Sequence, residues 1–192
     1  MRSPRFLLGP LWLLCIALAV GCGDPFALPK PRFQNAVDTV TLYALNGGTP
    51  VRTPSAYFIG TEILPPEAVL IQNGSPFDFA MDLDSLYQVV VLPTGALRLG
   101  IGSGVQTTTT AFDSIHIAPN GGYKRDSAVT IPVGGRVIVH SRDSQCSNLI
   151  TVVYYAKIEI LAVDTTSRKI TFQVLVDDNC GYRGLEPGFP AR

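Results

Sequence analysis

Two histidines, His116 and His140, are the side chains of this 192-residue chain best suited to holding a haem iron. Neutral imidazole nitrogens ligate iron, so two histidines on facing strands would be able to clamp a haem between them. Both lie in strand-like runs, and His140 would share a strand face with Arg136 and Ile138. An isolated histidine on a strand is also commonly structural, and that alternative stays open.

Three carboxylates, Asp78, Asp82 and Asp84, lie on one side of the most regular alternating pattern in the chain, the run Phe77–Asp84. The other side of that run is apolar, which is typical of a half-buried strand. Three carboxylates in a row would be able to ligate Ca²⁺, although the loop and the glycine of an EF-hand are missing. A metal site is therefore one hypothesis, and a solvated strand face is the simpler interpretation.

Motifs that would support catalysis are missing from the sequence. Gly100, Gly102 and Gly104 do not have the spacing of a dinucleotide-binding loop, and no helix-like segment follows them. We expect a bulge or close strand packing at these glycines instead. No serine lies in a Gly-x-Ser-x-Gly turn. The sequence therefore favours a protein that is not an enzyme.

Cys22 ends an N-terminal segment that has the layout of an export signal. Arg2 and Arg5 precede an apolar run over residues 6–20, which is too short to cross a bilayer as a helix. The pentad Leu18–Cys22 resembles the bacterial lipobox. That resemblance implies that residues 1–21 are a lipoprotein signal peptide and that Cys22 carries lipid, with membrane attachment as the consequence. A plain secretory signal with an incidental cysteine is the alternative.

The other cysteines and the charge balance narrow the class of protein further. Cys15 would leave with the signal, so Cys146 and Cys180 remain as a pair in an exported chain, which predicts one disulfide. The signal takes two arginines from 15 basic residues and leaves 13 against 15 acidic ones, a net charge of −2. Because no basic stripe is present, nucleic acid is excluded as a partner.

Short strand-like runs separated by Gly, Pro and Asn make up the chain from Val37 onward, without convincing helical periodicity. This pattern predicts an all-β fold, either a single β-sandwich or an irregular barrel-like antiparallel sheet. Residues 22–36 are expected to be the lipidated cysteine and a Pro-rich tether. The all-β domain would occupy residues 37–180, and residues 181–192 would form an irregular C-terminal tail.

Two hairpins are predicted within this domain. One joins residues 128–133 to residues 136–140 through a pair of glycines. The other joins residues 150–161 to residues 169–176, both rich in β-branched side chains, and the predicted disulfide would close its open end. Further short strands are expected at residues 97–101 and 115–118.

Several short segments follow one another in an order that points to a known family. They are Phe77–Ala80, Ala111–Ile115, Ala118-Pro119 with Tyr123 and Asp126, Tyr155–Ile158 and Ile170–Phe172. This order resembles the HmuY-like lipoproteins over residues 76–176. The family is all-β, lipid-anchored and includes haem-capturing members of the bacterial envelope. The resemblance implies the all-β architecture and the location in the cell envelope, and it places no axial haem ligand on this chain.

These features predict a lipid-anchored, non-catalytic binding protein of the bacterial cell envelope. Gly23 stands where an aspartate retains many lipoproteins at the inner membrane, and this favours the outer membrane. Haem or another small hydrophobic molecule is the expected ligand. The alternative is a structural lipoprotein whose surface docks an envelope protein and that binds no small molecule.

Overall fold

The structure, a computed structural model, describes residues 28–71, 76–100, 102–146 and 150–190. Cys22 and the predicted signal lie outside the described residues. The described strands are β1 (Val37–Tyr43), β2 (Ala56–Phe58), β3 (Glu67–Val69), β4 (Phe79–Leu83), β5 (Val89–Pro93), β6 (Gly104–Thr108), β7 (Val129–Ile131), β8 (Arg136–His140), β9 (Ser144–Gln145), β10 (Thr151–Val152), β11 (Tyr155–Asp164) and β12 (Lys169–Asp177).

These strands form two five-stranded antiparallel sheets and one short ladder. The first sheet has the order β1-β12-β11-β8-β6, the second sheet has the order β3-β2-β4-β5-β7, and β9 pairs with β10. The two larger sheets pack against each other in a sandwich-like arrangement. The predicted all-β fold is therefore confirmed.

An apolar core fills the space between the two sheets. Because side chains alternate along a strand, Val139 of β8 and Ile158 of β11 point inward together and are fully buried. Tyr57, Phe79 and Phe172 join the two sheets through ring contacts with centroids 5.7 to 6.4 Å apart. Burial of these large side chains is the main favourable term for the fold.

A second, smaller core covers the outer face of the first sheet. Ile138 and Leu175 point outward from that sheet and pack against Phe112 and Ile115 of the covering segment, residues 111–118. Leu185, from the C-terminal segment, completes this cluster. The first sheet is consequently buried on both faces over part of its area.

Lys157 holds the covering segment against the sheet. This lysine is buried on the outer face of β11, where its Nζ donates to the carbonyl oxygens of Phe112 at 2.8 Å and Ile115 at 3.1 Å. The same nitrogen lies 4.5 Å from the centre of the Phe112 ring. Burial lowers the pKa of Lys157, while the charges of Asp113 and Glu186 act in the opposite direction.

The hairpin of β11 and β12 is confirmed. Tyr155 pairs with Asp177 at its open end, and the turn at its other end falls at residues 165–168. The predicted disulfide is also confirmed, since Cys146 is bonded to Cys180 with the two Cα atoms 5.7 Å apart. The bond closes the open end of the hairpin.

The other predicted hairpin is wrong. β7 pairs with β5 in the second sheet, whereas β8 pairs with β11 and β6 in the first sheet. The turn through Gly134 and Gly135 therefore carries the chain from one sheet to the other. Gly134 has a φ of +77°, a conformation that glycine adopts without strain.

Two further predicted strands are also wrong. Residues 94–98 form consecutive turns, in which the amides of Leu97 and Leu99 donate to the carbonyl of Thr94. In the covering segment, a 3-10 helix at Phe112–Ser114 precedes residues 115–118, and within that predicted strand Ile117 makes only an isolated bridge. Leu97 and Ile115 pack against core clusters, whereas Leu99 and Ile117 are exposed, and Ile101 lies outside the described residues.

The chain on either side of the domain packs onto it. Within the predicted tether, Asn35 bridges to Gly188 of the C-terminal segment, and the Tyr182 hydroxyl donates to the Pro29 carbonyl at 3.0 Å. Residues 29–35 therefore lie on the β domain. No helix among the described residues has the length and apolar character needed to span a bilayer.

Candidate functional site

An open cavity of about 340 Å³ lies over the outer face of the first sheet, where β8 ends. Its lining residues are Asn120, Gly121, Gly122, Tyr123, Arg125, His140, Asp143, Val153 and Tyr155. We name it the His140 cavity. A volume of this size falls at the small end of the range for ligand-binding pockets.

Strand pairing positions the aromatic side chains of the cavity. His140 lies opposite Tyr155 in the β8–β11 ladder, so both side chains point to the outer face. Backbone hydrogen bonds between Val105 and Lys124 bring the neighbouring Tyr123 over them. The Tyr123 and His140 rings meet edge to face at 4.7 Å, and Tyr155 lies 6.4 Å from each. The ring arrangement is thus set by main-chain pairing.

His140 is held in one tautomer. Its Nδ1 lies 2.8 Å from the Ser141 carbonyl oxygen, which only accepts, so Nδ1 carries the proton and Nε2 does not. A Cβ built on Gly104 would collide with Nε2, which shows that this nitrogen packs against the strand backbone. Burial lowers the pKa of His140, and the Arg125 charge acts in the same direction. The imidazole is therefore neutral at pH 7.

The structure does not bring the two histidines together. His116 lies in the covering segment outside any strand, its Nδ1 is 2.6 Å from Glu186, and it does not line the His140 cavity. Nε2 of His140 packs against Gly104, and His116 lies outside the His140 cavity, so the two imidazoles do not face a shared site. These residues do not fit a bis-histidine haem site.

The polar groups of the cavity carry both signs of charge. Arg125 donates from Nη2 to the Gly102 carbonyl at 2.6 Å, and its Nε is buried without a hydrogen-bond partner among the described residues. Asp143 and Asn120 are exposed at the rim. The Tyr123 hydroxyl donates to Pro119, and burial raises its pKa. Ring faces beside opposite charges suit a ligand with an apolar face and a hydrogen-bonding edge.

Asp78 does not lie on a solvated face, which corrects that expectation. It is 1% exposed, and it accepts hydrogen bonds at 3.0 Å from the amides of Ile59, after β2, and Arg142, after β8. The Arg142 side chain lies 3.8 Å away. Burial raises the pKa of Asp78, although both amides oppose the shift. This carboxylate ties the two sheets together.

Asp82 and Asp84 each have a structural partner of their own. Asp82 accepts from Asn46 at 2.6 Å and pairs with Arg168 at 3.3 Å. Asp84 accepts from the amide of Leu86 at 2.8 Å and so shapes the β4–β5 turn. In the part of the chain that the structure describes, no cluster of three His, Cys, Asp or Glu is arranged to hold a metal ion.

Asp177 and Asp178 are titratable groups that the sequence analysis did not single out. Burial raises the pKa of Asp177 to about 6, against hydrogen bonds from Asn179 that lower it. Burial and the Asp177 charge raise the pKa of Asp178 to about 7. Each residue keeps one buried carboxylate oxygen without a hydrogen-bond partner in the described residues. One residue, Asn179, separates the pair from the disulfide cysteine Cys180.

Sequence reasoning named His140 and missed the rest of its cavity. The sequence does contain a signal for Tyr155. It is an aromatic residue at the start of a strand in which Ala156 and Ile158 are apolar and alternate with it, so Tyr155 is expected on the opposite face. Asn120 and Gly121 carry only a turn signal as sequence. Their place beside His140 depends on the bridge between Val105 and Lys124, which is a tertiary contact.

Comparisons with models of protein families, with curated proteins and with solved structures find no match to this chain.

Proposed function

We propose that this protein is a lipid-anchored, non-catalytic binding protein of the bacterial cell envelope that takes a small ligand into the His140 cavity. The observation that carries the proposal is the cavity itself, where Tyr123, His140 and Tyr155 converge beside Arg125 and Asp143. Backbone pairing places these groups before any ligand arrives, which lowers the entropic cost of binding.

The ligand that suits this cavity is a small ring compound with one apolar face and a polar edge. The Tyr155 ring supplies an aromatic surface, and Arg125 and Asp143 supply a donor and an acceptor at its side. A wholly hydrophobic ligand would leave these charges without water or partners, which is costly. Sugars and nucleosides have the required chemistry.

The proposed location at a membrane depends on Cys22. The resemblance of Leu18–Cys22 to a lipobox supports lipidation, and the Cys146–Cys180 disulfide is typical of an exported chain. More than one acyl chain would make the anchoring stable. The resemblance to HmuY-like lipoproteins and Gly23 support the outer membrane.

Labelling with a radioactive fatty acid tests the anchor. The native protein should incorporate label and float with membranes, and a Cys22→Ser variant should do neither. Equal incorporation into both proteins would contradict lipidation at this residue.

A blocked cavity tests the binding function. A Cβ at Gly121 would meet nothing within 4 Å, so Gly121→Phe should fill the cavity mouth without disturbing the fold. Gly48→Phe is the matched control, because Gly48 is equally unobstructed and does not line the cavity. Purified protein is screened by thermal shift against a panel of monosaccharides, nucleosides and hemin.

We expect at least one sugar or nucleoside to raise the melting temperature of the native protein and of Gly48→Phe. At 100 times its Kd a ligand stabilises by about 2.7 kcal/mol, which is readily measured. Gly121→Phe should not respond. A ligand that shifts all three proteins equally would place binding elsewhere, and a panel without any response would favour docking of an envelope protein.

A further inference from the structure

Three exposed apolar side chains, Phe33, Ile63 and Leu64, form a patch at one end of the sandwich. They line a common depression of about 250 Å³, together with Glu62 and Asp178. Ile63 is 75% exposed and Leu64 is 50% exposed. We name these three residues the Phe33 patch. Neighbouring exposed apolar side chains of this kind are a candidate interaction surface.

Hydrogen bonds attach the segment that contains Phe33 to the domain. The amide of Phe33 donates to Asn179 at 2.9 Å, and the Asn179 side chain donates back to the Phe33 carbonyl at 2.9 Å. A few residues earlier, Pro29 accepts from the Tyr182 hydroxyl, and Leu28 packs against Gly181. The chain from Phe33 back to Leu28 therefore lies on the domain, and the segment that leads toward Cys22 begins at Leu28, five residues before the Phe33 patch.

The distance from this point to the predicted lipid is short. Leu28 lies six positions after Cys22, and a fully extended chain spans at most about 3.6 Å per residue, so the two residues are at most about 22 Å apart. A lipidated Cys22 lies at the membrane surface. Leu28, at the end of the sandwich that carries the patch, is thus confined to within about two nanometres of the bilayer.

We propose that the Phe33 patch docks on the bilayer that holds the Cys22 lipid, with its apolar side chains among the lipid headgroups. This inference rests on the lipid anchor of the proposed function. Lys30 and Arg32 flank the patch and are exposed, so their stems lie along the interface while their charges reach headgroup phosphates. Arg32 also forms an ion pair with Glu62 at 3.3 Å, which offsets the negative charge of Glu62 beside the patch.

The opposite end of the sandwich supplies an internal control. Asp78 directly precedes β4 and contacts Ile59, which is close in sequence to the patch. Leu86 lies in the turn after the other end of β4. Leu86 is 73% exposed, nearly the same as Ile63. A docked domain would hold Ile63 in the interface and Leu86 in water.

Tryptophan fluorescence tests the docking. The chain has a single tryptophan, Trp12, within the predicted signal, so a Trp12→Phe background carries no native reporter. Ile63→Trp and Leu86→Trp are each expressed as the full chain, and the processed, lipidated proteins are reconstituted in phosphatidylcholine vesicles. Lipids brominated near the top of the acyl chain then quench any indole within the interface.

We expect bromolipid to remove roughly half of the emission of Ile63→Trp, because interfacial side chains lie about 5–10 Å deep, and to leave Leu86→Trp unchanged. Failure of either protein to float with the vesicles overturns the anchor and the docking together. Flotation with equal quenching of both reporters, or with none, leaves the anchor standing and overturns the docking. A blue-shifted Ile63→Trp emission without bromine quenching also overturns it, because the indole would then be buried against a second copy of this chain.

Discussion

Buried carboxylates illustrate how the surroundings of a residue decide its role. Asp78 is compensated by two backbone amides and a nearby arginine, so its burial joins the sheets. Asp177 and Asp178 are adjacent in sequence, and each keeps an unpartnered buried oxygen in the described part of the chain. Burial raises the pKa of all three carboxyl groups, to about 6 for Asp177 and to about 7 for Asp178, where the Asp177 charge adds to the shift.

The Asp177–Asp178 pair makes stability depend on pH. Because their folded pKa values lie above the usual 3.8, the folded state holds protons that the unfolded state releases. The stability that the two protonated carboxyl groups contribute to the folded state is fully present below about pH 4 and is lost as the pH rises to about 7. We expect Asp178→Asn to match the native protein at pH 4 and to be about 1–2 kcal/mol more stable at pH 8.

Urea unfolding at a series of pH values measures this difference, with the exposed Asp126→Asn variant as the control. A stability gain of Asp178→Asn that is the same at pH 4 and pH 8 would contradict the assignment, because it would show that ionisation is not its cause.

At the scale of elements, the β11–β12 hairpin organises the first sheet. β12 pairs with β1, and β11 pairs with β8, so the hairpin supplies the middle strand of that sheet, β11, and one of its two neighbours, β12. The Cys146–Cys180 bond closes its open end across a separation of 34 residues. The same end holds Tyr155 of the His140 cavity.

Removing the disulfide should destabilise the domain through the unfolded state. For a loop of 34 residues the chain-entropy relation gives about 4 kcal/mol. We expect the double variant Cys146→Ala, Cys180→Ala to lose stability of this order in urea titrations. The native protein under reducing conditions should unfold at the same urea concentration as the variant, and an unchanged midpoint in both would refute a stabilising role.

At the scale of the whole molecule, the C-terminal segment joins distant parts of the chain. Gly188 bridges to Asn35, Gly184 bridges to Ile117, and Leu185 is fully buried in the outer core. Residues 181–190 are therefore irregular in conformation and still part of the packed structure.

Truncating one buried side chain of this segment measures its contribution. We expect Leu185→Ala to cost about 3 kcal/mol in the free energy of unfolding, because it empties space in a closed cluster. Phe189→Ala is the control, since Phe189 is exposed and should lose little. Thermal and urea unfolding of both variants give the comparison. Equal losses would mean that the segment does not pack as described.

The His140 cavity and the Phe33 patch can be placed relative to each other through the strand pairing of the first sheet. Tyr155 pairs with His140 on one side and with Asp177 on the other, so the His140 cavity and the Phe33 patch belong to the same end of the sandwich. Docking of the patch on a bilayer would accordingly hold the cavity close to the membrane surface.

The sequence by itself determined the all-β class, the β11–β12 hairpin and the Cys146–Cys180 disulfide. Each depends on local signals, namely strand alternation, nearby β-branched runs and an even pair of cysteines. The geometry of a hairpin relates residues that are close in sequence, so its consequences can be read without the fold.

Only the tertiary structure decided which strands share a sheet and which side chains share a cavity. The turn at Gly134 and Gly135 looks the same whether the chain stays in one sheet or crosses to the other. Likewise, the alternation around Asp78 shows two strand faces but not what covers each of them. His116 and His140 were alike as sequence, and packing separated them because burial and contact depend on residues far away along the chain.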